Sequence, residues 1–152
     1  MLVKSCGCVI FNSNKGRRQY LLLHHADGHW DFAKGHVEKN ESEQETALRE
    51  AYEETGLKDL IIMPAFREII KYSYLSQGRK QKKKVVFFLA MTKKREIRLS
   101  DEHTESAWLA YEQAKNMLTF NNAKRLIEKA EKFMAKKEKH NITKSGKKPA
   151  LN

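Results

Sequence analysis

The chain has 152 residues and a formal net charge of +11, and 40% of its residues are hydrophobic. This length suits one domain with its own core, and no apolar run approaches the roughly 20 residues of a membrane span. Residues 1–6 lack the apolar run of a signal peptide, so we expect a cytoplasmic protein that makes no membrane contact. In that compartment Cys6 and Cys8 are expected to be reduced and buried.

The first half of the chain predicts two strands and a well-capped helix. Residues 4–11 and 19–24 are apolar enough for strands, and a loop with a short strand over 28–37 leads to a helix over about 42–55. Ser42 and Glu45 form a capping-box start, and Gly56 stands where a left-handed residue ends a helix. A buried helix face is predicted from apolar residues at helical spacing: Ala47, Leu48, Ala51 and Tyr52.

The second half predicts further strands and two helices. The strands are expected at 60–65, 66–75 (with a break near Pro64), 85–92, 97–100 and 106–109, and the helices at 111–118 and from Asn121 or Asn122 to about Lys139. A basic loop is predicted over 76–83. We expect one α/β domain over residues 1–139, with a mixed sheet sandwiched between helices (α/β/α). Residues 140–152 are expected to form a basic, flexible tail.

Basic residues are concentrated in two regions. Residues 122–152 hold ten lysines and arginines against three glutamates, and residues 79–84 hold five basic residues in six. A basic excess suits polyanionic ligands. For the tail, a solvated surface is the preferred interpretation.

Three glutamates of the predicted helix, Glu50, Glu53 and Glu54, share one stripe because they are spaced i, i+3 and i+4. Like charges at this spacing repel, so a cation is expected among them; the alternative is a solvated acidic face. An oxygen-only cluster selects Mg²⁺ or Mn²⁺. Arg49 can reach Glu45 or Glu53 one turn away and hold a carboxylate in a fixed orientation.

These glutamates belong to a longer pattern: GHVEKNE at 35–41, seven residues, and REAYEETGL at 49–57. The pattern resembles the Nudix box at every defining position. The resemblance implies the Nudix fold and a Mg²⁺-dependent hydrolase of nucleoside-diphosphate-linked compounds. It also implies that Arg49 orients the catalytic carboxylates, that Glu41 lies close to the site, and that Gly35 allows a tight turn into the loop.

Segments outside the box narrow the resemblance. HWDFAKGHVE at 29–38, FRE at 66–68 with Tyr72, and IRLSDEH at 97–103 are similar to asymmetrical diadenosine tetraphosphate hydrolases, over about residues 6–134. Ala33 departs from the proline that many members have. This loosens the backbone beside Lys34.

This second resemblance implies the substrate contacts. His29, Lys34 and Lys83 match positions that contact the polyphosphate, and Tyr72 and Phe120 match an aromatic pair that sandwiches an adenine ring.

The resemblance also implies a fourth carboxylate. Glu102 matches a residue brought from a loop to the metal site held by Glu50, Glu53 and Glu54, as a ligand or as the base that activates water. The sequence does not choose between Glu102 and Glu53 as that base. The expected reaction converts diadenosine tetraphosphate and water to ATP and AMP, in a monomer with a small-molecule substrate.

Three other functions stay open. An RNA 5′ pyrophosphohydrolase acting on transcript ends or caps would use the same chemistry and suit the basic clusters, although the sequence shows no interleaved aromatic platform for several bases. A diphosphoinositol phosphate hydrolase would suit a lysine-rich cleft. A non-catalytic nucleotide-binding module is disfavoured because no box residue is missing.

Overall fold

The structure, a computed structural model, describes residues 2–145. It contains a seven-stranded mixed sheet and three helices. In chain order the elements are β1 Leu2–Asn14, β2 Arg17–His25, β3 Trp30–Asp31, β4 Ala33–His36, α1 Glu43–Thr55, β5 Ile61–Ser76, β6 Arg79–Met91, β7 His103–Ala110, α2 Tyr111–Met117 and α3 Asn121–Ser145.

The sheet opens as a wedge between its first two strands. β1 and β2 pair only beside their connecting turn, through residues 11–14 and 17–20. Beyond that point β4 takes the free edge of β1 and β3 takes the free edge of β2. On their other edges, β1 pairs with β6 in parallel and β2 pairs with β7. The wedge directs the segment between β2 and α1 into the middle of the sheet.

Both faces of the sheet are covered, as predicted. Strand residues alternate between two buried clusters because successive side chains point to opposite faces. One cluster joins Val9, Phe87 and Leu89 to apolar residues of α2 and α3. The other joins Cys8 and Phe88, with further strand residues, to Ala47 and Ala51 of α1. The α/β/α prediction is therefore confirmed, and Cys6 and Cys8 are both buried free thiols.

Helix α1 has the predicted caps. The Ser42 hydroxyl accepts from the Glu45 amide at 3.1 Å, and the Glu45 carboxylate accepts from the Ser42 amide at 3.0 Å. Gly56 ends the helix at φ 77°. The predicted buried face is wrong at Tyr52, which is 36% exposed with the Lys58 ammonium over its ring. Glu54 is buried instead.

The basic loop predicted over 76–83 is wrong. Only Gln77 and Gly78, both with positive φ, form a turn. Residues 79–84 are the first part of β6 and pair with β5, where Lys83 lies opposite Tyr72. The two strands predicted over 60–65 and 66–75 are one strand, β5, with a register shift between Ile62 and Arg67 near Pro64.

Two further boundaries differ from the prediction. Residues 97–100 form no strand, although Ile97 and Leu99 pack against the α1 cluster. Helix α3 continues past Lys139 to Ser145, so the first six residues of the predicted tail are helical. The rest of that tail lies outside the described residues. Within residues 2–145, no helix is both long and apolar enough to cross a membrane.

Candidate active site

A cleft of about 720 Å³ opens where the wedge, α1, the β5–β6 hairpin and the loop before β7 meet. Nine of the predicted site residues line it: His29, Lys34, Gly35, Glu50, Glu54, Tyr72, Lys83, Glu102 and Phe120. The other four are outside its wall. Glu41, Arg49 and Glu53 form an ion-pair group on and beside α1, and Gly56 is the helix cap.

Arg49 is the centre of that ion-pair group. Its Nε donates to Glu41 Oε2 at 2.6 Å and its second amino group donates to Glu41 Oε1 at 3.0 Å, which is a bidentate pair. The remaining amino group donates to Glu50 at 2.9 Å and to Glu53 at 3.2 Å. The predicted contact with Glu53 is present. The alternative partner, Glu45, is held instead by the Ser42 amide.

These contacts hold the Glu41 carboxylate in its charged form. The Arg49 guanidinium, the Glu38 amide and the Thr46 hydroxyl donate to it, and together they lower its pKa to about 2. Glu41 therefore serves as a fixed anion that orients Arg49, and Arg49 in turn fixes one oxygen of Glu50.

The carboxylates inside the cleft are shifted the other way. Burial, followed by the charge of Glu50, raises the pKa of Glu54 to about 8. Burial also raises the pKa of Glu50, although the contact with Arg49 acts in the opposite direction. The charge of Glu102 raises the pKa values of both Glu50 and Glu54. The Lys34 amide donates to Glu54 at 3.1 Å, and this bond and the charge of Lys34 oppose the shift without cancelling it. The three carboxyl groups therefore favour a cation in the cleft.

Gly35 has a different role from the predicted tight turn. It lies within β4, pairs with Cys6, and does not have a positive φ. A Cβ atom at this position would lie 2.0 Å from the carboxyl carbon of Glu50 and 2.2 Å from one of its oxygens. Glycine is needed here because α1 places the Glu50 carboxylate directly against the strand.

Lys34 is held by a residue that the sequence did not single out. Its Nζ lies 2.6 Å from Oδ2 of Asp31, which is buried. Burial opposes the charge on Lys34, but the contact with Asp31 outweighs it, so the pKa of Lys34 is raised. A single aspartate three residues before a lysine gives no signal in the sequence; only the β3–β4 geometry brings the two together.

Lys83 and Tyr72 lie opposite each other on the β5–β6 hairpin. The Lys83 ammonium is 6.0 Å from the centre of the Tyr72 ring. Burial and the neighbouring Lys34 lower the pKa of Lys83. An anionic group placed between the two lysines would relieve this repulsion, so the pair suits a phosphate.

Phe120 and His29 form the other side of the cleft. The Phe120 ring is 45% exposed and its centre lies 5.3 Å from that of His29. His29 also contacts Asp27, through Nδ1 and Oδ1 at 2.5 Å. The Glu102 carbonyl accepts from the Ala26 amide at 2.9 Å, which fixes the loop before β7 against this segment.

His25 also lines the cleft and was not predicted. Its ring stacks on His29 with centres 4.7 Å apart, and both rings contact Asp27. The sequence did contain a signal for this cluster, because three residues of metal-binding types stand at every second position: His25, Asp27 and His29.

The residues present suit a hard divalent cation. The donors in the acidic part of the cleft are carboxylate oxygens of Glu50, Glu54 and Glu102, which is the chemistry that Mg²⁺ and Mn²⁺ prefer. The raised pKa of Glu54 agrees with this assignment, and the missing side chain at Gly35 lets the Glu50 carboxylate reach the cleft. Glu53, the fourth predicted ligand, is 53% exposed and faces Arg49.

Comparison with known proteins identifies the relatives of this arrangement. The family model described as NUDIX domain matches residues 1–133. The rat bis(5′-nucleosyl)-tetraphosphatase (asymmetrical) is 36% identical over 146 residues, which cover 88% of this chain and 97% of the rat protein. The relative from Caenorhabditis elegans with the same description is 30% identical over 140 residues, 89% of this chain and 99% of that protein.

The fold comparison agrees. The crystal structure of a C. elegans Ap4A hydrolase binary complex superimposes with a TM-score of 0.77 at 30% identity, over 88% of this chain and 98% of that one.

Proposed function

The chain belongs to the NUDIX family of pyrophosphohydrolases, and on that premise we propose that it splits diadenosine tetraphosphate into ATP and AMP. One observation carries the proposal. A single cleft joins an acidic end (Glu50, Glu54, Glu102) to lysines and to two aromatic rings. These groups follow one another along the cleft in the order that a nucleotide polyphosphate requires: carboxylates for a metal, lysines for phosphates and aromatic rings for a base. The names of the relatives support the same substrate.

The acidic end would hold Mg²⁺ or Mn²⁺ through Glu50, Glu54 and Glu102. When bound, the metal would neutralise phosphate oxygens and lower the pKa of a bound water. Arg49 keeps the Glu50 carboxylate in one orientation, and the Lys34 amide does the same for Glu54.

We assign proton acceptance from the attacking water to Glu102. Glu102 lines the cleft on an exposed turn, whereas the carboxylate of Glu53 is held by Arg49 outside the cleft wall. Proton transfer requires the acceptor within hydrogen-bond reach of the water, and of these two residues Glu102 is the one that lines the cleft.

The basic and aromatic end would bind the rest of the substrate. Lys34, whose charge Asp31 secures, and Lys83 would contact phosphate oxygens and stabilise the charge of the transition state. Tyr72 and Phe120 would stack on an adenine. Each such contact is worth roughly 1–3 kcal/mol.

Product analysis tests the proposal. Purified protein with Mg²⁺ and diadenosine tetraphosphate in ¹⁸O-labelled water should yield ATP and AMP, with the label in AMP, because water attacks the phosphorus that becomes AMP. Two molecules of ADP would contradict the asymmetric reaction. Glu54→Gln should lose most of the activity while remaining folded, and Glu105→Gln, an exposed carboxylate change on β7, should retain it. A folded, active Glu54→Gln protein would contradict the metal assignment.

One observation favours RNA 5′ ends as a second substrate. On the hairpin, Tyr74 lies on the same face as Tyr72, with ring centres 6.4 Å apart, and its cross-strand partner is Gln81. This ribbon extends the substrate side of the cleft and carries Arg79 beyond it. The structure therefore supplies aromatic neighbours that the sequence did not suggest.

Tyr74→Ala separates the two substrates. If RNA is a substrate, the variant should release phosphate from 5′-triphosphorylated RNA more slowly while cleaving diadenosine tetraphosphate at the normal rate. The RNA reaction should also weaken steeply with salt. Equal rates of RNA hydrolysis by the Tyr74→Ala variant and the unmodified protein would contradict a role for the β5–β6 hairpin in RNA binding.

A further inference from the structure

The turn between β2 and β3 brings three metal-binding side chains together at the cleft. The His25 amide donates to the His29 carbonyl at 2.7 Å, and the Gly28 amide donates to the His25 carbonyl at 2.8 Å. In this turn the two imidazoles are stacked, with their planes 9° from parallel, and Asp27 contacts both rings. The ligand atoms of His25, Asp27 and His29 all lie within 4.8 Å of one another.

The Asp27 carboxylate faces both imidazoles. Its Oδ1 lies 2.9 Å from Nδ1 of His25 and 2.5 Å from Nδ1 of His29. One carboxylate oxygen is therefore shared by two ring nitrogens, and all three atoms are of the kinds that ligate transition metals.

We propose that His25, Asp27 and His29 form a transition-metal site at the mouth of the cleft, suited to Zn²⁺. Two imidazole nitrogens and one carboxylate oxygen select Zn²⁺ and its neighbours over Mg²⁺. Zinc bonds of about 2.0–2.1 Å place tetrahedral ligands about 3.3 Å apart. Asp27 Oδ1 lies 2.9 Å from His25 Nδ1 and 2.5 Å from His29 Nδ1, so these two separations need to open by less than about 1 Å. The two stacked rings also need to turn so that both nitrogens point at the ion.

This site is chemically distinct from the carboxylates of the acidic end. Those offer only oxygen, from α1 and the loop before β7, whereas this site is a single hydrogen-bonded turn with nitrogen donors. Two metals of different softness can therefore bind at the two places independently.

Metal at this site opposes substrate binding, an inference that rests on the proposed function. His29, which the resemblance assigns to the polyphosphate, lines the cleft beside Phe120, where we place an adenine contact. Nδ1 of His29 already lies 2.5 Å from Asp27, and a bond to Zn²⁺ would keep the ring there, so that it could not turn toward a phosphate. Zn²⁺ should therefore raise the KM for diadenosine tetraphosphate and leave kcat near its original value.

Calorimetric titration with ZnCl₂ in excess Mg²⁺ tests the site without reference to activity. The full-length protein should bind one Zn²⁺, and Co²⁺ should give the visible absorption of a nitrogen-ligated ion. His25→Ala and Asp27→Asn should each weaken binding at least about tenfold. His24→Ala is the matched control, since that ring contacts Thr104 and Trp30 instead. Circular dichroism checks that each variant is folded.

Three outcomes decide the matter. Absence of Zn²⁺ binding by the unmodified protein, or unchanged binding by folded Asp27→Asn, overturns the site. If binding is lost in His25→Ala but its KM remains equally sensitive to Zn²⁺, the opposition to substrate is overturned and the site stands. A protein that binds Zn²⁺ as expected but does not hydrolyse diadenosine tetraphosphate contradicts the proposed function, not the site.

Discussion

The metal-free protein should lose stability as pH rises, because of Glu54. Its carboxyl is buried, and its pKa is raised from 4.5 to about 8, so the fold favours the protonated form. The resulting stability is complete below the unfolded pKa and is lost as pH rises through about 8. The difference corresponds to about 5 kcal/mol in total, about 3–4 kcal/mol of which falls between about pH 5 and pH 8.

Glu54→Gln tests this directly, since the amide oxygen of glutamine can still accept from the Lys34 amide. Urea denaturation in EDTA should show that the free energy of unfolding of the variant, relative to the unmodified protein, rises by about 3–4 kcal/mol between pH 5 and pH 8. Comparison between the two proteins cancels the titration of other groups. Glu53→Gln, an exposed change on the same helix, should alter stability by about 0.5 kcal/mol or less.

Metal provides the second half of the test. Mg²⁺ should stabilise the unmodified protein more at pH 8 than at pH 6, because its binding requires the charged form of Glu54. The Glu54→Gln protein should respond weakly at both. Parallel stability curves for the two metal-free proteins across the pH range would refute the reasoning, because Glu54 would then carry no penalty for its charge.

Three further changes address the geometry of the site. Gly35→Ala should cost about 1–3 kcal/mol of stability, because its Cβ would overlap the Glu50 carboxylate. Adding Glu50→Ala should restore the stability without restoring activity. A stable, active Gly35→Ala enzyme would contradict the close approach of Glu50 to Gly35. Arg49→Lys should lower kcat/KM at least about tenfold by removing the planar guanidinium. The control, Arg67→Lys, should leave kcat/KM unchanged, since it alters a similar bidentate pair with Glu43 at a more exposed site. Equal effects of the two changes would show that Arg49 is merely structural. Tyr72→Leu should raise the KM for diadenosine tetraphosphate about 5- to 150-fold if the ring stacks on adenine, as steady-state kinetics would show, and an unchanged KM would exclude that contact.

Local chemistry explains what the sequence predicted well. The caps of α1 depend on residues three or four positions apart, so Ser42, Glu45 and Gly56 could be interpreted from spacing alone. The two-sided core followed from apolar runs in the central strands. The box residues gave the family, which the comparisons confirm.

The failures involve residues whose roles depend on distant partners. Gly35 indicated a turn, but its role comes from the approach of α1, fifteen residues later at Glu50. Residues 79–84 indicated a loop because lysines disfavour strands, yet pairing with β5 outweighs that preference. Asp31 gave no signal, since its partner Lys34 is reached only after the chain crosses from β3 to β4.

The pKa values of Glu41 and Glu54 are shifted in opposite directions, and the two residues have different roles in the Nudix box. Glu41, whose pKa is lowered to about 2, is neutralised by Arg49 outside the cleft wall. Glu54, whose pKa is raised to about 8, faces the cleft and pairs with no guanidinium among residues 2–145. A second arginine beside Glu54 would stabilise the metal-free protein, but it would neutralise the carboxylate charge that binds a divalent ion. The basic net charge of the chain therefore does not extend to this end of the cleft, and the instability that remains there is what makes cation binding favourable.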